Sequence, residues 1–288
     1  MRILVTGTSG MLGRVVANYL FRFHRVMGTS RTFSMYLKCP QSNGDLTNMF
    51  YVKHLLDEFD PQIIVHCAAS TNLELCERDK EAAKNINILT TDVLSNHNSK
   101  FVYISTDSVY APQLENCSES SKTDPLNYYA WTKLQGETAS LKRKNSLILR
   151  TNIYGLNSST GNSLVEWAIA NLANNKQITG YKDVFFNPVH TEQLAQTIHI
   201  LIDKDVAGVL NVSSSHSISK YEFLIRIAEK LNLDFNLIKE GVYLDSAIKR
   251  SKNTTLNNDK MKAVLERDLL LSDGLEMLRR EYELYTNK

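Results

Sequence analysis

The chain opens with a short apolar run that leads directly into a glycine-rich turn, and this pairing narrows the fold more than any other feature. Residues 3–5 are Ile-Leu-Val, and glycines follow at positions 7, 10 and 13. Gly7 permits a sharp turn, Gly10 lets the backbone approach phosphates, and Gly13 lets the next helix pack closely on the strand. Glycines also mark ordinary turns, but here a helical pattern begins near Met11, whose amino end would face a pyrophosphate. The turn therefore predicts a dinucleotide-binding strand–turn–helix.

The rest of the first half alternates short apolar runs with amphipathic segments, which indicates an α/β fold with a Rossmann-type, doubly wound parallel sheet. Strands are predicted at Arg2–Thr6, Arg25–Gly28, Ile63–Cys67, Lys100–Ser105 and Leu147–Arg150. Helices are predicted at Met11–Phe23, Asn48–Glu58, Lys80–His97 and Tyr128–Arg143. We expect residues 1–150 to form an NAD(P)-binding domain. Residues 151–288 should form mainly a smaller α/β substrate-binding lobe, interleaved through a returning strand near 206–212.

Within that second half, the polar segment 151–162 reads as a loop. Helices are expected at Ser163–Leu172 and Lys220–Leu231, and a charged helix from Leu269. A basic loop is expected at Lys249–Asn258.

Composition excludes several classes of protein. The 288 residues are 43% hydrophobic and 22% charged with a net charge of +2, so neither nucleic acid nor a membrane is an expected partner. The opening apolar run stops at Gly7, which argues against a signal peptide. The four cysteines show no C-x-x-C spacing, and we expect reduced thiols in a cytoplasmic protein. The seven histidines are scattered, so no catalytic metal is predicted.

A second motif carries the chemistry. Tyr129 and Lys133 lie four residues apart on a predicted helix and so share one face. A tyrosine has a pKa of roughly 10. A neighbouring ammonium, together with a cationic nicotinamide, would lower that pKa toward the working range. The same spacing is common on solvated helix faces, but the polar run Ser105-Thr106-Asp107 ends an apolar strand, where open α/β sheets bind their ligands.

The order of four segments resembles the extended short-chain dehydrogenase/reductases. The segments are TGTSGMLG, HCAA at residues 66–69, STDSVY and YYAWTK. Within that family the chain is most similar to dTDP-4-dehydrorhamnose reductases. Less specific matches also favour this subgroup, and they lie at residues 150–155, 161–162, 187–188 and 208–212 and in the basic loop. The resemblance spans nearly the whole chain.

The resemblance implies a catalytic triad of Thr106, Tyr129 and Lys133. Tyr129 would protonate a sugar C4 ketone, Thr106 would polarise that carbonyl, and Lys133 would bind the nicotinamide ribose. Tyr128 competes with Tyr129, but only Tyr129 has a lysine at the required offset. The glycine turn and the resemblance together assign these residues to the cofactor: Gly7, Ser9, Gly10, Met11, Leu12, Gly13, Ser30, Arg31, Asp45, Leu46, Cys67, Ala68, Ala69, Asn87, Tyr129 and Lys133.

The segment after the second strand indicates which cofactor is bound. An NAD site usually presents a carboxylate there, whereas this chain has Ser30 and Arg31. An arginine suits a 2′-phosphate. We expect NADP(H) to be preferred, with NAD(H) as a second choice.

The expected partner is a nucleotide-diphosphate sugar, and the expected reaction is reduction of its C4 ketone for cell-surface polysaccharide synthesis. The substrate residues are expected to be Thr106, Asp107, Asn152, Ile153, Asn162 and Arg250. Further cations for the diphosphate are Arg150, Lys249 and Lys252. Ile153 and Ser251 stand where rhamnose-forming reductases tend to have Trp and Pro, which leaves the exact sugar open.

Two alternatives remain. Dehydratases and epimerases of the same family share the motifs, but Ser108 stands where dehydratases have a Glu, and an epimerase would favour an acid after the second strand. The other alternative is a cofactor-bound regulatory subunit like that of methionine adenosyltransferase, which keeps the tyrosine–lysine pattern. The oligomeric state is open, with a homodimer as a candidate.

Overall fold

The computed structural model describes residues 1–157, 163–244 and 247–286. Its strands are β1 (Arg2–Thr6), β2 (Arg25–Ser30), β3 (Gln41–Asn43), β4 (Ile63–His66), β5 (Lys100–Thr106), β6 (Ser146–Thr151), β7 (Ile153–Tyr154), β8 (Ile178–Tyr181), β9 (Phe185–Phe186), β10 (Val189–His190), β11 (Gly208–Val212), β12 (Ile218–Ser219) and β13 (Ile238–Gly241). Its α-helices are α1 (Met11–Leu20), α2 (Met49–Phe59), α3 (Leu73–Arg78), α4 (Lys80–Lys84), α5 (Thr90–Ser95), α6 (Tyr128–Ser140), α7 (Leu164–Ala173), α8 (Thr191–Asp203), α9 (Lys220–Lys230), α10 (Asp259–Leu265) and α11 (Leu271–Thr286).

Seven parallel strands form the central sheet in the order β11-β6-β5-β4-β1-β2-β3. The strand order reverses between β1 and β4, and the crevice at such a reversal is where open α/β sheets bind ligands. The predicted Rossmann-type α/β fold is confirmed.

Alternate residues of the strands face opposite layers of helices. Ile3 and Val5 of β1 pack in a core with α1, α8 and α10. Leu4, between them, packs in a second core with α2 and α5. Both faces of the sheet are therefore covered, which explains why the central strands are apolar along their whole length.

Several elements differ from the sequence prediction. The second strand continues to Ser30, two residues beyond the predicted end. The predicted helix at Lys80–His97 is interrupted by a π-helical turn at Asn85–Leu89. The short strand β3 and the helices α3, α8 and α10 were not predicted. A short strand, β7, lies in the segment read as a loop.

The remaining strands form three two-stranded sheets, β7–β10, β9–β12 and β8–β13. Apolar residues of α7 and α9 pack against β8 and β13 in one cluster, and α9 and α11 contribute to another. The basic loop is anchored to the rest of the chain by bridges from Asn253 to Phe185 and from Leu256 to Cys117. This arrangement brings residues of the second half over the carboxyl edge of the central sheet.

Candidate active site

Three adjoining cavities lie along the carboxyl edge of the central sheet. The central cavity, of about 580 Å³, is lined by residues that follow the ends of β1, β4, β5 and β6. The Arg31 cavity, of about 450 Å³, shares Gly7 and Gly10 with it. The aromatic cavity, of about 480 Å³, contains Trp167 and shares Tyr129 and Asn152 with the central cavity. The shared residues show that the three cavities adjoin one another along this edge.

The glycine turn forms a cradle that only glycine permits. Gly7 has a φ of +70°, and a Cβ there would lie 2.7 Å from the Ala68 backbone nitrogen. A Cβ on Gly13 would clash with the Gly7 carbonyl oxygen. Helix α1 has Gly10 as its N-cap, with no capping side chain and no acid in its first turn. Its amino end therefore presents N–H groups and a positive dipole to an anion, as a pyrophosphate requires.

The predicted cofactor residues divide among these cavities, with one exception. Lining the central cavity or the Arg31 cavity are Gly7, Ser9, Gly10, Met11, Leu12, Gly13, Ser30, Arg31, Asp45, Leu46, Cys67, Ala68, Ala69, Tyr129 and Lys133. The exception is Asn87, which is buried in the π-helical turn. Its amide bonds the Ser70 backbone at 2.8 and 3.0 Å and the Thr132 hydroxyl at 2.9 Å, so it braces the cavity wall from behind.

The predicted triad converges on the central cavity. Thr106 ends β5, and α6 contributes Tyr129 and Lys133. The Asn127 side chain accepts a bond from the Ala130 N–H at 3.0 Å and so fixes where α6 begins. Tyr128 lines none of the three cavities and instead stacks on Trp131, with ring centroids 5.1 Å apart.

The electrostatics of the pair differ from the sequence expectation. Burial raises the pKa of Tyr129, Asp107 adds to this, and a hydrogen bond with Thr106 lowers it by less. Burial also lowers the pKa of Lys133 to about 7, although Glu137 opposes the shift. Its ammonium lies 4.0 Å from the centroid of the Tyr103 ring. Removal from water thus outweighs the expected effect of Lys133 on the phenol.

A hydrogen-bonded carboxylate stands at the end of β5. Asp107 accepts bonds from Asn152 at 2.7 Å and from the hydroxyls of Thr106 and Ser108 at 3.1 Å. This network fixes the Thr106 side chain beside Tyr129. Ser108 is a donor within it and offers no carboxylate to abstract a proton.

The structure places the predicted substrate residues in different parts of the site. Asp107, Asn152 and Ile153 line the central cavity, and Arg250 lines the aromatic cavity. Asn162 lies outside the described residues.

The expectation that Arg150 binds the diphosphate is wrong. Its buried guanidinium pairs with Glu137 at 2.6 Å, and Arg150 does not line the central cavity or the aromatic cavity. Lys252 is also engaged elsewhere, with Asp183 at 2.8 Å.

Sequence reasoning missed several residues of the aromatic cavity. Tyr181 and Tyr243 meet edge to face with centroids 5.4 Å apart, Trp167 lies on α7, and Lys220 begins α9. They come from four separate segments, and no local spacing connects them.

In the described part of the chain, one group of side chains has the composition of a metal site. His24, His199 and Asp203 are close enough to share an ion, but none of them lines the three cavities. The absence of a catalytic metal stays a prediction. None of the helices that the structure describes combines the length and the hydropathy that a membrane crossing needs.

The glycine cradle lies at the switch point of a parallel sheet and faces a strand-end threonine and a tyrosine–lysine pair. This combination defines a dinucleotide-binding α/β protein of the extended short-chain dehydrogenase/reductase type. The sequence model of the RmlD substrate binding domain family matches residues 1–270. The chain belongs to this family.

Comparisons with individual proteins agree with the family and include two kinds of relative. The probable low-salt glycan biosynthesis reductase Agl14 of Haloferax volcanii is 29% identical over 255 residues, covering 85% of each chain. Methionine adenosyltransferase 2 subunit beta of Danio rerio is 30% identical over 248 residues, covering 81% of this chain and 74% of the relative.

Solved structures are also similar over nearly the whole chain. A hypothetical dTDP-4-dehydrorhamnose reductase from Sulfolobus tokodaii superimposes with a TM-score of 0.84 at 29% identity, covering 95% of this chain and 99% of that one. The dTDP-4-dehydrorhamnose reductase of Bacillus anthracis, solved in complex with NADP, superimposes with a TM-score of 0.82 at 25% identity, covering 97% and 99%.

Proposed function

We propose that this protein is an NADPH-dependent reductase that acts on the C4 ketone of a nucleotide-activated 4-keto-6-deoxy sugar, for cell-surface polysaccharide synthesis. One observation carries the proposal. Thr106, Tyr129 and Lys133 line one cavity, which is also lined by the glycines of the cradle and shares Tyr129 and Asn152 with the aromatic cavity. A dinucleotide and a nucleotide sugar can therefore meet at Tyr129.

Each residue of the triad then has a definite task. When NADPH is bound, it supplies the hydride that reduces the ketone. Tyr129 donates its phenolic proton to the C4 oxygen, and solvent later replaces that proton. Its raised pKa suits this direction, because the phenol must hold its proton at the start. The Thr106 hydroxyl, which donates its one hydrogen to Asp107 in the unliganded protein, would turn to donate that hydrogen to the same oxygen, and Lys133 would bind the nicotinamide ribose.

The Arg31 cavity supports NADP(H) as the cofactor. Ser30 ends β2 and Arg31 follows it, where an NAD site would present an acid, and both residues line the cavity. Asp45 faces the same cavity, but its carboxylate accepts two bonds from Thr47, at 2.8 and 2.9 Å. The similar structure from Bacillus anthracis was solved with NADP. NAD(H) remains the second choice.

The alternative activities are less well supported. A dehydratase needs a base at the position of Ser108, whose hydroxyl donates to Asp107 instead. The dehydratase and epimerase structures that superimpose on this chain are 17–19% identical and share the fold. The relatives named methionine adenosyltransferase 2 subunit beta keep a regulatory role open as the second candidate.

The test is an assay of NADPH oxidation with a panel of dTDP-, GDP- and UDP-linked 4-keto-6-deoxy sugars. Oxidation that depends on one sugar nucleotide would establish the reductase and identify its substrate. NADPH binding without turnover across the whole panel would favour the regulatory role. We also keep the cytoplasmic location and the homodimer as proposals, to be checked by cell fractionation and analytical ultracentrifugation.

A further inference from the structure

A lysine that the proposed mechanism does not use stands in the wall of the aromatic cavity. Lys220 is the first residue of α9, which is fixed at that point by a capping box between Ser219 and Glu222. Its ammonium lies 3.2 Å from the centroid of the Phe186 ring. Among the residues that the structure describes, no carboxylate pairs with it. The cation is thus held in place by packing rather than by a counter-ion.

The charges that face Lys220 come from two other segments. Asp107, after β5, favours its protonated form, and Arg250, in the basic loop, disfavours it. Asp107 already accepts three hydrogen bonds from Thr106, Ser108 and Asn152, so it is not dedicated to this lysine. Burial has the largest effect and lowers the pKa of Lys220 to about 7.

Two cations that line the same partly enclosed cavity destabilise each other unless an anion joins them. Arg250 and Lys220 both line the aromatic cavity, which also contains Tyr129. Lys220 interacts electrostatically with Asp107 at the strand end and with Arg250. It lines the same cavity as Tyr129 of the reacting centre and the arginine. A diphosphate that joins a sugar at Tyr129 to a base among the aromatic residues would pass this point.

We propose that Lys220 binds a phosphate oxygen of the substrate's diphosphate on the sugar side, and that it sets the preference of the cavity for diphosphate-linked ligands over neutral ones. This inference rests on the proposed function for the identity of the substrate. It predicts that the charge of Lys220 strengthens binding of the ligand and lowers the stability of the unliganded protein.

The first test measures binding by calorimetry for the wild type and for Lys220→Met, which keeps the apolar stem and removes the charge. The probes are dTDP-glucose and UDP-glucose, whose diphosphates do not titrate near neutrality, and the matching nucleosides. A charge-assisted hydrogen bond predicts that K220M weakens binding of the sugar nucleotide by roughly 10- to 100-fold and of the nucleoside by less than about 2-fold. Lys239→Met, an exposed lysine of β13, is the matched control and should bind both as the wild type does.

A second readout separates a binding role from a structural one. Because burial disfavours the ammonium, K220M should melt at a higher temperature than the wild type at pH 6, whereas a structural lysine would leave a less stable protein. Wild-type affinity for dTDP-glucose should fall as the pH rises from 6 to 9 and Lys220 loses its proton. In Lys220→Arg, whose side chain stays charged, that fall should be much smaller.

The outcomes are distinguishable from those of the proposed function, since none of these measurements needs turnover. K220M binding of sugar nucleotide like the wild type, or an equal loss of nucleoside binding, would overturn the inference. Loss of diphosphate binding without any turnover in the substrate panel would keep the inference and reject the reductase.

Discussion

Tyr129 and Tyr128 are adjacent in the sequence but have different surroundings. Tyr129 lines the cavity beside Thr106, whereas Tyr128 stacks on Trp131. We therefore expect Tyr129→Phe to lower kcat by roughly 100- to 10,000-fold while NADPH binding is kept, because only the proton donor is removed. Tyr128→Phe is the matched control and should turn over almost normally. Steady-state kinetics with cofactor titrations check both variants, and near-normal turnover by Y129F would refute the assignment.

We expect the choice of cofactor to depend on Arg31. It is exposed at the edge of its cavity, free to reach a 2′-phosphate. Arg31→Ala should weaken NADPH binding by about 10-fold or more and NADH binding by about 2-fold or less, because one charge-assisted contact is lost. Arg22→Ala removes the same charge from a side chain that lies over Tyr19 and Phe23, and should change neither affinity. Fluorescence titration measures both, and equal losses for the two cofactors would contradict the account.

Individual site residues could be predicted from the sequence where their function depends on local spacing. The glycine turn and the Tyr129–Lys133 pair could be predicted because each lies within a few residues along the chain. Lys220 and Tyr243 could not, because the fold alone brings them to one cavity. Arg150 was misassigned for the same reason: its partner, Glu137, lies on the helix that precedes its strand.

An internal ion pair is one of the links between α6 and the central sheet. Glu137 of α6 and Arg150 of β6 are both buried and pair at 2.6 Å, and Ser105 of β5 also donates to the carboxylate. Glu137→Gln should destabilise the protein by about 3–5 kcal/mol, because it leaves a buried guanidinium without its counter-charge. Urea unfolding measures the loss.

The control for this prediction is a pair on the surface. Glu240→Gln removes the partner of Lys182 on the exposed β8–β13 pair and should leave the unfolding midpoint nearly unchanged. If E137Q were as stable as E240Q, the ion pair would not be what fixes α6 to the sheet.

Among the elements, the apolar strands were predicted best because burial on both faces makes them continuous hydrophobic runs. Strand β3 was missed because its three residues, Gln-Ser-Asn, are polar and pair only at the edge of the sheet. Helix α8 was missed although its apolar residues pack on α1, because it begins directly after a two-residue strand. The π-helical turn left no signal in the hydrophobic pattern.

For the whole molecule, the switch point between β1 and β4 decides where the function lies. It brings the glycine cradle, the end of β5 and the start of α6 to one edge, and segments of the second half cover that edge. The predicted fold and family are confirmed, and the coenzyme choice agrees with a similar structure. The sugar depends on the shape of the aromatic cavity, which the sequence could not specify.

The central claim is that a hydride passes from NADPH to C4 of a sugar in this cavity while Tyr129 supplies the proton. Isotope transfer tests it most directly. NADPH that carries deuterium at both hydrogen positions of nicotinamide C4 would be incubated with the protein and the sugar-nucleotide panel, and the products analysed by mass spectrometry and NMR. We expect one deuterium at sugar C4 with the wild type and, with Tyr129→Phe, a rate of product formation lower by roughly 100-fold or more. A product without deuterium at C4, or no product at all while NADPH stays bound, would contradict the account.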